Sequence, residues 1–312
     1  MPRLVALLLA LAALAPAAPA RAATAEPAAR PQRLTKAQAD SVARAILKDR
    51  ADTEQWLKGD PTSYLATVQR VDYGARTALT VGSATNANVR IADPAVSAYH
   101  LRATVVGDSF RVEALDPGAT FQVKGVSLRS ATVGPSSIRI GRFTLRLSHQ
   151  RFPAIIVFDP RSPHFKSYKG LKWFPVSPAW RYELPLTANP KADTVIILST
   201  RGNRRRAVRV GWFEFLAGGT RCRLEAERLL EHGVGENDIS VFFRDRTTGK
   251  ESYPVGRYVD PVRLPDGNYL LDFNLSYNPA CAVSEHYNCP IPPRENLLPT
   301  AVRAGEMDAH YH

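Results

Sequence analysis

"LTVGSATNANVRIADPAVSAYHLRATVVGDSFRVEALDPGATFQVKGVSL", Leu79–Leu128, decides the fold class. Short runs of Val, Ile, Leu and Phe alternate with polar residues, and Gly, Pro, Asn or Asp interrupts them every few positions. That pattern predicts short antiparallel strands joined by turns. It extends to both sides: "SYLATVQRV" and "TALTVG" precede the stretch, "SSIRI" and "RFTLRLS" follow it. Residues 63–150 are therefore expected to form an antiparallel β-sandwich.

A second strand-rich half, residues 151–312, resumes at "AIIVFDP". Its "DTVIILSTRGNRRRAVRVGWFEFLA" predicts a hairpin with Gly202-Asn203 at the tip, and "TRCRLEAERLL" predicts a further strand. Arg201, Arg204, Arg205, Arg206 and Arg209 crowd that tip. They read as a solvated tip, with contact to an anionic glycan or lipid surface as the sharper alternative. Only "LTKAQADSVARAILKDRADTEQWLKGD" reads as a convincing helix. Val42, Ile46 and Leu47 fall at helical spacing, Thr35 is placed to cap the start and Gly59 to end it. The Ala/Pro/Arg-rich residues 23–34 read as a flexible leader, so leader and helix together fill 23–62. The expected class is mainly β: a sandwich, then a second β-rich domain, with one N-terminal helix.

A chain of 312 residues has room for two cores. With 45% hydrophobic and 22% charged residues it has the composition of a folded globular protein. Residues 1–22 have an early Arg3, an apolar run from Leu4 to Ala15, and a small-x-small end at Ala20-Arg21-Ala22. This predicts a signal peptide cleaved before Ala23. The run is too short to span a bilayer, and no later segment is apolar enough for a transmembrane helix. An exported protein, periplasmic or secreted, is expected. The formal charge of +12 permits attraction to anionic polymers or membrane surfaces. Export makes nucleic acid a poor partner.

Of the cysteines at 222, 281 and 289, Cys281 and Cys289 lie eight residues apart in a turn-rich loop, and a disulfide between them is expected. Cys222 reads as a buried apolar residue. The spacing offers no metal set, and no cofactor fingerprint appears: there is no Gly-rich phosphate loop, no Gly-x-Ser-x-Gly and no His-Glu-x-x-His.

The first half resembles the forkhead-associated domain, a β-sandwich that binds phosphothreonine through loops at one end. "VSAYHLRA" supplies that family's Ser-x-x-His as Ser97 and His100, and "GATFQVKG" stands at its last turns. The resemblance implies a phosphate held by an Arg after the first Gly, by the Ser, and by an Asn in the last turn. Here Ser83 follows Gly82 and Lys124 precedes Gly125, so Ser83, Ser97 and Lys124 form a degenerate phosphate site. His100 would brace the loop. A protein partner through this domain is the implied use.

The second half carries "FRDRTTGKESYPVGRYVD" and then "LDFNLSYNPACAVSEHYNCPIPPRENLLPTAVRAGE". This closely resembles a bacterial, largely exported family of unknown function, a DUF1684-like domain. Its Asp-x-Thr, Gly-Arg-Tyr, Asp-Phe-Asn, Tyr-Asn-Pro, Cys-Pro-x-Pro-Pro-x-Glu-Asn and Ala-Gly-Glu elements all occur here. The resemblance brings no activity with it. Physically, Pro279, Pro290, Pro292 and Pro293 stiffen the segment, while Asn274, Asn278 and Asn296 substitute for secondary structure. An ordered strap over a sheet accounts for them. The charges ask for more: Asp245, Arg257, Asp272, Glu295 and Glu306, with the hydroxyls of Tyr253 and Tyr277. Three readings stay open. Arg257 pairs with an acid and holds the fold together; the group binds a small-molecule, glycan or protein ligand; or Asp272, Glu295 and Glu306 supply the acid and base of a hydrolase.

Overall fold

The computed structural model describes residues 29–309. The expected signal peptide lies outside the described residues. The fold is mainly β, built from several antiparallel sheets and one long N-terminal helix. Among the described residues no helix is long and apolar enough to cross a membrane.

The first sandwich stacks a six-stranded sheet on a five-stranded one. The six-stranded sheet runs Thr67–Asp72, Pro153–Phe158, Phe143–His149, Ser136–Ile140, Phe121–Val123, Val126–Leu128; the five-stranded sheet runs Val89–Arg90, Ala78–Gly82, Leu101–Val106, Ser109–Ala114, Ser130–Val133. Alternate residues such as Leu79, Val81, Phe110, Val112, Leu145 and Leu147 fill the space between them. The sandwich does not stop at residue 150. Pro153–Phe158, read from sequence as the opening of the second half, pairs on one side with Thr67–Asp72 and on the other with Phe143–His149. Its unbroken apolar run has a direct cause. Ile155 and Val157 face the sandwich core, while Ile156 and Phe158 pack with Ala66 and Phe165, so both faces are covered.

The second domain is organised by a long hairpin, Arg204–Ala217 with Thr220–Leu229, flanked by Thr194–Leu198. Its core combines Tyr182, Phe213, Phe215, Leu224, Phe243 and Phe273. Beyond Asp272 regular strands give out. Single turns, Phe273–Leu275, Ala280–Ala282 and Arg294–Asn296, carry the chain over the sheets as the expected strap.

Two local expectations are corrected. The arginine-rich tip is not simply solvated. Arg205 is buried, ion-pairs with Glu231 at 3.0 Å, and donates to Asn288 O at 2.5 Å and to Gln150 Oε1 of the first sandwich at 2.8 Å. Arg201 reaches Asp72 of that sandwich at 3.1 Å. The tip is a junction because strand pairing sets it against the first domain, which its charge pattern does not reveal. The end of the leader is also docked: Leu216 N–H donates to Ala29 O at 2.7 Å and Gln32 N–H to Arg181 O at 2.8 Å.

The helix Lys36–Gly59 starts in a reciprocal cap: Thr35 Oγ1 accepts from Gln38 N–H and Gln38 Oε1 accepts from Thr35 N–H. It buries only Ile46, Arg50 and Leu57, and Leu47 is exposed. So narrow a stripe docks through polar contacts as well. Arg50 donates to Phe174 O at 3.0 Å, and Glu54 accepts from Leu171 N–H at 2.6 Å and Tyr168 OH at 2.8 Å. The helix thereby becomes a wall of the second domain's cavity.

Candidate functional site

Arg257 lies in the strand Arg257–Val259 and is 1% exposed. It donates to Asp245 Oδ2 at 3.1 Å and to the carbonyls of Val302 at 2.7 Å, Ala304 at 2.5 Å and Glu306 at 3.1 Å. Asp245 takes Val302 N–H at 2.6 Å on the same oxygen, while its other oxygen accepts from Thr247 N–H and Oγ–H. The guanidinium also lies over the Phe243 and Phe174 rings, at 5.3 and 5.6 Å. One cation thus grips every second carbonyl of the final segment. Burial pulls its pKa down and Asp245 pushes back.

Asp272 and the two best-satisfied asparagines are fastened in the same manner. Asp272 Oδ1 accepts from Asn274 N–H and Nδ2–H, and Oδ2 pairs with Arg181 at 2.5 Å. Asn274 also bonds the backbone of Ser177 in both directions. Asn296 is 0% exposed; its Oδ1 accepts from Glu225 N–H at 2.7 Å and its Nδ2 donates to Glu225 O and Phe242 O, both at 2.9 Å. It replaces a missing strand. Glu295, its neighbour, points to solvent and is exposed. The three acids named for hydrolysis therefore do not meet.

Glu306 is different. Its backbone is pinned, with Glu306 N–H to Ser276 O at 2.9 Å and Phe174 N–H to Gly305 O at 2.9 Å. Gly305 must be glycine: φ is +76°, and a Cβ would sit 2.1 Å from Ser276 Oγ. This explains the Ala-Gly-Glu element as a hook that delivers a buried carboxyl. Only Oε2 of that carboxyl has a protein partner among the described residues, Asn278 N–H at 2.7 Å. Burial raises the Glu306 pKa to about 8, against the lowering effects of Asn278 N–H, Arg257 and Arg50. Asn278 donates from Nδ2 to Met307 O at 2.8 Å, yet its Oδ1 is buried with no partner among the described residues.

Glu306, Asn278 and Tyr277 line a cavity of about 400 Å³. Trp56, Thr53 and Asp49 of the N-terminal helix close one side, with Tyr64 just after it. Trp173, Leu171 and Asp260 complete the walls. Trp56 and Tyr64 stack edge to face, centroids 4.9 Å apart. Tyr277 OH donates to Asp260 Oδ2 at 2.9 Å, and its pKa is raised by burial and by that acid. Of the ten residues proposed from sequence as ligand-binding, three reach this cavity. Trp56, Tyr64, Trp173, Asp49 and Asp260 were missed. Trp56 stands in "TEQWLKGD", where nothing local distinguishes it from a surface residue.

Cys281 and Cys289, expected as a disulfide, lie side by side as thiols. Cys222, Cys281 and Cys289 are all buried thiols, with no disulfide among them. The turn at Ala280–Ala282 aims Cys281 N–H at Cys289 Sγ, 3.3 Å away, so the pair sits as hydrogen-bonded neighbours. The bond from Cys289 lowers the Cys281 pKa and raises that of Cys289. Tyr253 OH donates to Cys281 O at 3.3 Å and bounds this pair, away from the cavity lining. Among the described residues no group of three or more His, Cys, Asp or Glu could hold a metal ion.

In the first sandwich, Ser83 N–H donates to Ser97 O at 3.0 Å, so the two loops lie side by side. His100 Nδ1 accepts from Ser97 N–H at 3.2 Å, and its Nε2 lies 2.9 Å from Thr120 O, a brace between loops. Arg90 Nε donates to Ser83 O at 3.4 Å. Lys124 occupies a turn with φ +49°.

Residues 166–307 match the family described as a protein of unknown function (DUF1684). The second domain is DUF1684-like. The matched region begins beyond Phe158, where the first sandwich ends. A solution NMR structure of an uncharacterized protein from Haloarcula marismortui, gene locus rrnAC0354, is 36% identical, covering 47% of this chain and 80% of that chain, with a TM-score of 0.38. That likeness is one of sequence. A comparison with curated proteins finds no match.

Proposed function

We propose that the DUF1684-like domain binds a small molecule in the cavity between the N-terminal helix and the strap, without catalysis. One observation carries this reading. At the end of the final segment, one oxygen of the buried Glu306 carboxyl has no protein partner among the described residues, beside a cavity of about 400 Å³. Polar atoms of buried groups are nearly always paired, so a ligand is the natural partner for this one. Of Asp272, Glu295 and Glu306, only Glu306 lines this cavity, which favours binding over the hydrolase alternative.

The apolar run after Arg3 supports export, periplasmic or secreted, and in an oxidising compartment Cys281 and Cys289 would pass two electrons and two protons to a disulfide oxidant and form a bond. The first sandwich serves in this reading as a forkhead-associated-like interaction or packing module. Ser97 remains there, but no arginine follows Gly82 to grip a phosphate in bidentate fashion. A phosphothreonine-peptide titration tests that module, and binding weakened by Ser97→Ala would restore phosphate recognition.

The test of the main reading is the intact mass of the exported protein, native and then denatured. Extra mass in the native spectrum alone is the expected result, and it identifies the ligand. A bare native mass, with no small molecule from a cell extract protecting the protein against heat, overturns it. The denatured mass reports cleavage before Ala23 and the loss of two hydrogens to a disulfide.

A further inference from the structure

The formal charge of the chain is +12, with 41 Lys and Arg against 29 Asp and Glu. The cavity reverses that balance. Its lining holds three carboxyl groups, Asp49, Asp260 and Glu306, and no Lys, Arg or His. Asp49 and Asp260 are exposed and stand at the rim, while Glu306 is buried at the floor. Between them lie the aromatic rings of Trp56, Tyr64 and Trp173. Aromatic faces attract cations, and more strongly where water is excluded. The Glu306 oxygen that Asn278 N–H leaves free is an acceptor as well.

We propose that this cavity binds a small organic cation, an ammonium compound held over Trp56 and Trp173 and facing Glu306. The inference rests on the reading of the cavity as a ligand site and names the ligand's chemistry. Anions are disfavoured by the carboxylates of Asp49 and Asp260 at the rim, with no cation in the lining to offset them. An inorganic cation finds no coordinating cluster and makes no use of the aromatic walls.

Two neighbouring cations bear on the charge of the site. Arg50 lies over the Trp173 ring, 4.7 Å from its centroid, and its N–H groups go to Phe174 O and Asn274 O. Arg257 is committed to Asp245 and the carbonyls of the final segment. Neither lines the cavity, and both already act on Glu306, as does Glu54 with the opposite sign. Despite them, burial keeps the Glu306 carboxyl protonated up to about pH 8. A ligand cation placed against it favours ionisation, so binding at neutral pH releases a proton, and affinity rises as pH increases towards 8. Asp49, Asp260, Tyr64 and Tyr277 are the other titratable groups lining the cavity.

The test is calorimetry on the full chain with two probes of nearly the same shape, benzyltrimethylammonium and the uncharged 2-methyl-1-phenylpropan-2-ol. The cation is expected to bind about tenfold tighter than the alcohol. Titrations in buffers of different ionisation enthalpy are expected to show proton release, which Glu306→Gln abolishes. Trp56→Ala is expected to weaken the cation about tenfold while proton release persists, which places the probe in this cavity even if Glu306→Gln fails to fold. Equal affinity for the two probes, or binding of the alcohol alone, overturns the cation and leaves the cavity a ligand site. Binding of neither overturns both.

Discussion

Arg257 and Glu306 are the two buried charges at either end of the same motif, 1% and 5% exposed, and the strap joins them directly. They differ in what surrounds them. Arg257 has an acid and three carbonyls for its terminal N–H groups, and its acid is saturated in turn. Glu306 has one backbone donor, and its other carboxyl oxygen has no protein partner among the described residues, at the wall of the cavity. A buried charge whose terminal N–H groups all bond within the chain, with only Nε unpaired among the described residues, is explained by folding. One left partly unpaired at a cavity needs something from outside. The difference separates architecture from site inside a single run of residues, where charge and spacing alone could not.

The sharpest way to break that contrast is Arg257→Ala. It leaves Asp245 buried without its cation and frees the carbonyls of Val302, Ala304 and Glu306. A loss of about 3–5 kcal/mol in denaturant unfolding of the second domain is expected, because breaking a buried pair strands the other charge. A loss below about 1 kcal/mol, the range of exposed pairs, would mean that the cluster does not hold the strap.

Asn296→Ala comes next. The amide stands in for a strand, and its removal strands Glu225 N–H and the carbonyls of Glu225 and Phe242. A cost of about 2–3 kcal/mol is expected, with unchanged affinity for any cavity ligand, since Asn296 does not line the cavity. Altered affinity at unchanged stability would turn Asn296 into a site residue.

How far the sequence reaches follows the same physics. Alternation with turn residues revealed the sandwich because each strand there has one buried face, as at Leu79 and Val81. It misplaced Pro153–Phe158, whose two covered faces erase alternation. Asn and Pro density correctly marked a strap held by side chains. The cavity was half legible: Tyr277, Asn278 and Glu306 come from the motif, but Trp56, Tyr64 and Trp173 belong to segments whose own patterns describe a helix, a strand and a loop. Their meeting depends on Arg50 and Glu54 clamping the helix to the second domain, which is a tertiary fact.

The pH dependence of Glu306 is the most discriminating test. Folding raises the Glu306 pKa from the ordinary 4.5 to about 8. The stability this group contributes is therefore complete below pH 4.5 and is lost as pH rises through about 8, where the buried carboxyl must ionise. Glu306→Gln keeps an oxygen for Asn278 N–H and never ionises. At about pH 5 the variant and the parent should melt close together, and at about pH 9 the variant should melt roughly 10 °C higher, because such a pKa difference is worth about 4 kcal/mol over this interval. Arg257 variants should show no such crossover, since their defect is present at every pH. A parent with no decline in stability between these pH values would mean that Glu306 is already paired as a carboxylate, and the difference between the two ends of the motif would disappear.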